Sequence, residues 1–288
     1  MRIPPALTDV WQHEPEWLAG LPQLAEECAR QWAIDLEQPV DTPYSLVVPA
    51  GDVVLKLHAP SDVEAHAEAD ALAAWDGNSA ARLVARDETR HALLVERCVP
   101  GTRLWDADVD EATVVSLLIP QLQVDVAGGH RFPLLATEAD RWNEELPTWY
   151  ADGGRPFDKR LLEHALDVYR TVDRSASVLV NPDLHGANIL AAEREPWLVI
   201  DPKPLVGERE LEASGLLRNA ASARHLLDGW VDLGANVSRW LEALVDLGFD
   251  RDRARGWGVA HNLAWAWDER RGWSEEHVEM ANRILNAR

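Results

Sequence analysis

The chain reads as an α+β protein of two unequal lobes: a small N-terminal antiparallel sheet with one helix, then a larger, mainly helical C-terminal lobe. Three observations predict this. Short apolar runs of strand length crowd into the first hundred residues. A turn-forming stretch, Arg97-Cys98-Val99-Pro100-Gly101, breaks the pattern. Beyond it, helical periodicity recurs with a single interruption. We therefore expect an N-terminal lobe over residues 1–96, a hinge over 97–101 and a helical lobe over 102–288.

The elements follow in order. Residues 22–33 are predicted as an N-terminal helix that opens on Pro22. Strands are expected at 45–48, 53–57, 81–87 and 91–96, with an amphipathic helix at 62–75 between the second and third. The second lobe should contain helices at 111–127, 137–150, 158–175, 211–227, 237–247, 252–268 and 274–287. Two apolar runs, Val178-Leu179-Val180 and Leu198-Val199-Ile200, interrupt them and are read as short buried strands of one hairpin. No internal repeat or low-complexity segment is evident.

Composition narrows the function classes. With 288 residues, 47% apolar and 27% charged, the chain is long and apolar enough for two cores and is not disordered. The net charge of −21 argues against nucleic acid, whose binding needs basic surface. A diffuse acidic surface serves solubility, and it would also attract a cationic small molecule. No apolar run has the length of a membrane span, and Met1-Arg2-Ile3-Pro4-Pro5 does not read as a signal peptide. Cys28 and Cys98 lack metal-ligand spacing and fit a reduced, cytoplasmic protein. Of the 14 tryptophans, Trp265 and Trp267 are expected to pack the second lobe. The oligomeric state is left open.

The most informative segment is Asn181-Pro182-Asp183-Leu184-His185-Gly186-Ala187-Asn188, followed by Leu198-Val199-Ile200-Asp201-Pro202-Lys203. Asp183-Leu184-x-x-x-Asn188 is the catalytic-loop pattern of protein kinases, and Asp201 stands where their Mg²⁺-binding Asp would stand. Phosphoryl transfer needs such a set: one carboxylate to aim a hydroxyl, and an amide and a second carboxylate to hold Mg²⁺ against phosphates. An Asp-x-x-x-x-Asn alone is commonly a solvated turn. A carboxylate that terminates an apolar strand at this spacing argues for a ligand.

Lys56, inside Val53-Val54-Leu55-Lys56-Leu57, matches the kinase strand lysine. Only three lysines (Lys56, Lys159 and Lys203) occur among the 28 Lys and Arg residues. A compact ammonium suits the α and β phosphates of a nucleotide, held by a carboxylate partner. Glu68 is the expected partner, with Glu64 in reserve. No Gly-x-Gly-x-x-Gly precedes the lysine strand. A phosphate lid would use the Ser45 hydroxyl and backbone amides from the turn at 41–45.

In layout and motifs the chain resembles the aminoglycoside phosphotransferases of the protein-kinase-like fold, most closely the streptomycin 6-phosphotransferase type, a family also linked to hydroxyurea resistance. The matching stretches are Val53-Val54-Leu55-Lys56-Leu57, Trp75-Asp76-Gly77 with Ala81-Arg82-Leu83, and Ala92-Leu93-Leu94-Val95-Glu96-Arg97. They continue with Pro100-Gly101, Asp183-Leu184-His185, Asn188-Ile189-Leu190, Ile200-Asp201-Pro202-Lys203-Pro204 with Gly207, and Leu216-Leu217-Arg218-Asn219. The resemblance implies Asp183 as base, Asn188 and Asp201 as Mg²⁺ ligands, Lys56 with Glu68 on ATP, and backbone groups of Glu96, Arg97 and Cys98 on the adenine. It implies that ATP lies between the lobes. The family usually has His-Gly before the base, where this chain has Asn181-Pro182, so a differently shaped loop is expected.

His185, Arg218 and Asn219 read as structural. Lys203 reads equally as a phosphate contact or as a partner of Glu208 or Glu210. A small-molecule acceptor, cationic or sugar-like, would find carboxylates among Asp106, Asp108, Asp110, Glu144, Glu145, Asp268 and Glu269. Two readings of other classes stay open: metal-dependent hydrolysis by Asp183, His185 and Asp201, and a non-catalytic nucleotide sensor.

Overall fold

The computed structural model describes residues 1–62, 67–220 and 233–287. It contains two compact units, Met1–Gly101 with Ala191–Ile200, and Thr102–Leu190 with Asp201–Arg288.

The first unit starts with helices α1 (Pro5–Trp11) and α2 (Pro15–Trp32). Strands β1 (Ser45–Ala50) and β2 (Val53–His58) follow, then helix α3 (Glu68–Trp75) and strands β3 (Leu83–Asp87) and β4 (Ala92–Glu96). The sheet is antiparallel with order β1-β2-β4-β3. Alternation along β2 sends Leu55 and Leu57 to one face and Lys56 and His58 to the other. The leucine face joins Leu46, Val48, Ala92 and Leu94 in a core with Leu7, Trp11, Leu21, Ala25 and Cys28 of the two N-terminal helices. That stripe of α2 explains why the helix begins at Pro15 and not at Pro22. Pro15 takes the first helical turn, where a missing N–H costs nothing, and Pro22 is carried inside by packing on both sides of it. Of the expected helix at 62–75, the stretch from Glu68 to Trp75 is helical, and Glu64 lies outside the described residues.

The segment Ala191–Ile200 clusters with this first unit. Its anchor is Arg194, which donates to Glu96 Oε1 at 2.8 Å, Gly77 O at 2.6 Å and Ala80 O at 2.9 Å. Strand β8 (Trp197–Val199) adds the reciprocal bonds Ala81 N to Val199 O and Val199 N to Ser79 O, each 2.9 Å.

The second unit is mainly helical: α4 (Glu111–Leu122), α5 (Leu135–Asp152), α6 (Lys159–Arg170), α7 (Ala213–Arg218), α8 (Leu233–Asp246), α9 (Arg251–Trp265) and α10 (Glu275–Asn286). Helix α9 is central and packs on α6, α7, α8 and α10. Two glycines permit its close approach: a Cβ on Gly258 would stand 2.6 Å from Leu217 Cδ1, and one on Gly256 3.0 Å from Val168 Cγ2. The expected helix at 111–127 stops at Leu122, because residues 124–126 turn extended and pair with the strand around Val178. Of the helix expected at 211–227, a short 3₁₀ turn over Arg209–Glu212 and α7 are seen, and residues 221–227 lie outside the described ones.

One expectation is corrected. The apolar runs around Val178 and Leu198 are both strands, yet they do not form one hairpin. Strand β6 (Val178–Val180) pairs with β9 (Leu205–Gly207). Strand β7 (Ile189–Ala192) lies between β8 and β5 (Pro100–Arg103). The hydrogen-bond demand of Val199 is met by residues 79–81, which leaves β6 to find another partner. The small pair β10 (Trp267–Asp268) and β11 (Gly272–Trp273) precedes α10.

Arg194→Ala strips two carbonyls and a carboxylate of their donor and should lower stability by about 2 kcal/mol. An unchanged urea midpoint would show that the anchor is dispensable.

Candidate active site

The loop that follows β6 is seated on the start of α7. Asn181 is fully buried; its side-chain Oδ1 accepts from the amides of Asp183 at 3.2 Å and Lys203 at 3.1 Å. At Asn181-Pro182, where the sequence departs from the family's usual pair, the side chain thus has a definite role in the loop. The asparagine side chain staples the Asp183 turn to the Asp201-Pro202-Lys203 turn. Beneath it, Glu212 Oε2 accepts the Asn181 amide at 3.1 Å, and Ser214 Oγ donates to Pro182 O at 3.4 Å. Helix α7 comes so near that a Cβ on Gly215 would sit 2.6 Å from Leu184 O and 2.8 Å from Pro182 O.

Asp183 is buried, with both carboxylate oxygens engaged. Oδ1 accepts from Arg218 Nη2 at 2.6 Å, and Oδ2 lies 3.4 Å from Asn188 Nδ2. Arg218, read from sequence as structural, is brought against the Asp183 carboxylate, a contact the sequence reading did not include. Its guanidinium lies 4.0 Å above the Trp265 ring and 3.2 Å from His261 Nδ1. Burial holds the His261 imidazole well below its usual range, and Arg218 and Lys203 push it the same way. It is therefore neutral, and its lone pair can face the guanidinium. Lys203 stands over the same tryptophan, with Nζ 5.0 Å from the ring centroid. Neither the helical spacing of Arg218 nor the late position of Trp265 gives a sequence signal for this grouping.

His185 stacks on Trp105 (5.0 Å, 19° between planes), and its Nδ1 accepts from Ala187 N at 3.3 Å. Its Nε2 is 3.6 Å from Asp183 Oδ1. Trp105 Nε1 donates to Glu111 Oε1 at 3.1 Å, and Gly186 leaves no room for a side chain against that pair. Burial raises the Glu111 carboxyl above the usual range. Asp201 follows β8 in the left-handed region (φ 52°), a backbone strain often kept where a side chain is aimed for function. Among the described residues no group of three or more His, Cys, Asp or Glu side chains is set to hold a metal. An amide (Asn188) and a carboxylate (Asp201) suit Mg²⁺, which takes few protein oxygens and completes its octahedron with water and phosphate.

In the first unit, Lys56 Nζ and Glu68 Oε1 form a buried ion pair at 2.5 Å, and His58 Nε2 lies 3.1 Å from Glu68 Oε2. Ser45 is buried opposite His58 in the β1–β2 register, on the Lys56 face of the sheet. Val40 pairs with Val47, closing a small hairpin around residues 41–46. Glu96 is held by Arg194 and the Arg82 amide. The Arg97 amide bonds Asp52 O at 2.9 Å, and its side chain pairs with Glu37 at 2.6 Å. Burial pushes the half-buried Cys98 thiol up to about 11.

The proposed acceptor carboxylates are scattered. Glu144 is exposed, and Glu145 pairs with Arg141 at 2.9 Å. Asp268 caps the exposed turn that holds Glu269, accepting from the amides of Arg270 and Arg271 at 2.8 Å. Asp106 pairs with Arg103, Asp108 is exposed, and Asp110 caps α4. Beside that turn is a cavity of about 780 Å³ whose walls include Phe157, Trp267 and Trp273 with Asp152, Glu275 and Glu279.

The model of the aminoglycoside/hydroxyurea antibiotic resistance kinase family matches residues 31–272. The chain belongs to this family. It is 34% identical over 269 residues to a streptomycin 6-kinase of Streptomyces glaucescens, covering 88% of this chain and 84% of the relative. A hydroxyurea phosphotransferase of Kitasatospora aureofaciens is 33% identical over 267 residues, 87% and 74% of the two chains. Solved structures place the fold. The choline kinase LicA from Streptococcus pneumoniae superposes with a TM-score of 0.61 at 10% identity, covering 93% of this chain and 98% of its own. A ternary complex of the aminoglycoside phosphotransferase APH(4)-Ia gives 0.58 at 12% identity, with 87% and 92% covered. This member of the aminoglycoside/hydroxyurea resistance kinases thus has the protein-kinase-like fold and is a phosphotransferase that acts on a hydroxyl group.

Glu212 gives the loop a pH signature. Burial raises its carboxyl from 4.5 to about 8, and Oε1 has no aligned donor among the described residues. Between these values the folded protein keeps a proton that the unfolded chain releases. Stability should therefore fall as pH rises through that window, by about 1.4 kcal/mol per unit from this group. Glu212→Gln should flatten the decline. Urea midpoints at pH 5 to 8 that run parallel in both proteins would remove Glu212 as its source.

Proposed function

We propose that this kinase transfers the γ-phosphoryl group of ATP, with Mg²⁺, to a hydroxyl of a cationic aminoglycoside such as streptomycin. The observation that carries the reading is the Asp183 carboxylate, fixed in a buried loop with Asn188 five residues on and the strained Asp201 beyond it.

Asp183 Oδ2 accepts the hydrogen bond of the acceptor hydroxyl and aims its oxygen in line at the γ-phosphorus. The new O–P bond forms as the bond to the β-phosphate oxygen breaks, ADP leaves with the electron pair, and the proton passes to Asp183 and on to solvent. Asn188 and Asp201 would hold Mg²⁺, which neutralises phosphate charge when bound. Lys56, held in place by Glu68, would meet the α and β phosphates. Ser45 and the hairpin around 41–46 would cover them, and backbone groups at 96–98 would take the adenine. Positioning and charge neutralisation carry most of the acceleration.

The 780 Å³ cavity supports a cationic acceptor, since aromatic faces beside Asp152, Glu275 and Glu279 attract guanidinium and ammonium groups. The net charge of −21 would draw such a substrate in. No described helix is long and apolar enough to cross a membrane. A cytoplasmic location, where ATP is at hand, completes the reading.

Asp183→Ala should reduce streptomycin phosphorylation by roughly a thousandfold while MgATP still binds. A variant that turns over normally would end the base assignment. For Asp201→Ala, calorimetry should show Mg²⁺-dependent ATP affinity lost; unchanged affinity would contradict the metal role.

A further inference from the structure

Arg218 places its guanidinium against the Asp183 carboxylate in a buried setting. A buried guanidinium carries a heavy desolvation cost unless each face and edge is matched. Here three groups match it. Helix α7 supplies the residue, Trp265 at the end of α9 covers one face at 4.0 Å, His261 presents Nδ1 to Nη1 at 3.2 Å, and Asp183 Oδ1 takes Nη2 at 2.6 Å. The Arg218 side chain is 6% exposed and that of Asp183 10%. Two donors pointing at two different acceptors from one rigid plane fix a direction as well as a charge, which a lysine could not do.

We infer that Arg218 is the positioning residue of the phosphoryl-transfer base: clamped by Trp265 and His261, it occupies Oδ1 of Asp183 and so makes Oδ2 the oxygen that receives the acceptor hydroxyl. The inference rests on Asp183 being the base, as proposed above. Asn188 completes the selection, because its Nδ2 is 3.4 Å from Oδ2 and the same amide is the one assigned to Mg²⁺. A metal would take the Asn188 amide oxygen and leave Nδ2 donating to Oδ2, whose second lone pair stays open to the acceptor hydroxyl while Oδ1 is held by Arg218. Trp265 thereby has a function beyond packing, since it carries both Arg218 and Lys203 on its ring.

The test compares Arg218→Ala, Arg218→Lys, Trp265→Leu and Asp183→Ala in the full-length protein, with streptomycin as acceptor and calorimetry for MgATP. Arg218→Ala should lose roughly a hundredfold in kcat with MgATP affinity within about twofold, because a misaligned base slows chemistry and not nucleotide binding. Free guanidinium at about 10 mM should enter the vacated slot and restore roughly tenfold, while urea at the same concentration should not. Trp265→Leu should lower kcat in the same direction. Arg218→Lys should recover only part of the rate; full recovery would mean that charge alone suffices and would overturn the directional role. Wild-type kcat in Arg218→Ala would overturn it too, as would a loss that guanidinium leaves untouched or that takes MgATP binding with it. If Asp183→Ala is inactive and Arg218→Ala is normal, only the clamp fails. If Asp183→Ala is active, the base assignment itself has failed.

Discussion

The site depends on how closely α7 can approach the loop that carries Asp183. Gly215 has no side chain, so the carbonyls of Pro182 and Leu184 rest almost on the helix backbone. That proximity puts Glu212 under the Asn181 amide and Ser214 under Pro182, and it sets Arg218, one turn further along, beside Asp183. A larger residue at 215 would lift the loop off all three contacts. Asn181 then ties this loop to the Lys203 amide, which follows Asp201 by two residues. One close contact thus locates the candidate base, a metal-ligand candidate and a cation together.

The charges of the molecule divide by cost. Most ion pairs are exposed, such as Lys159–Glu163 and Arg174–Asp140, and such pairs contribute little. Among the described residues, Lys56–Glu68 and Arg218–Asp183 are buried at both ends, and Arg253–Glu208 at its carboxylate. Burying a pair often costs more than the attraction returns. Glu208 illustrates a structural solution, since Arg253, the Trp257 indole N–H and the Asp173 amide all donate to it and hold its carboxyl below the usual range. The other two pairs have fewer structural donors around their carboxylates and coincide with residues proposed above for phosphoryl transfer.

The family match covers residues 31–272 and leaves α1 and most of α2 outside it. These helices nevertheless complete the core under the β1–β2 leucine face, and Trp11 donates to Tyr44 O in the hairpin before β1. The first unit therefore relies on a segment whose sequence carries little family signal. Its two prolines, Pro15 and Pro22, had also masked its extent as a helix.

What the sequence determined by itself is local. Alternation placed four strands and exposed Lys56 as the polar member of a buried run. Helical periodicity located most of the second unit, and the Asp-Asn-Asp spacing pointed to the chemistry, because Asp183 and Asn188 share one loop and Asp201 directly follows an apolar strand. The tertiary structure decided what required distant segments to meet. Strand β6 took β9 as partner once residues 79–81 had satisfied β8. Residues 124–126 left the helix for the sheet. Arg218, Trp265 and His261 gathered on Asp183 from two helices whose sequence separation carries no period. Desolvation chose these last contacts: a guanidinium and a carboxylate lose water only when packing brings every partner at once, and no single stretch of sequence contains that packing.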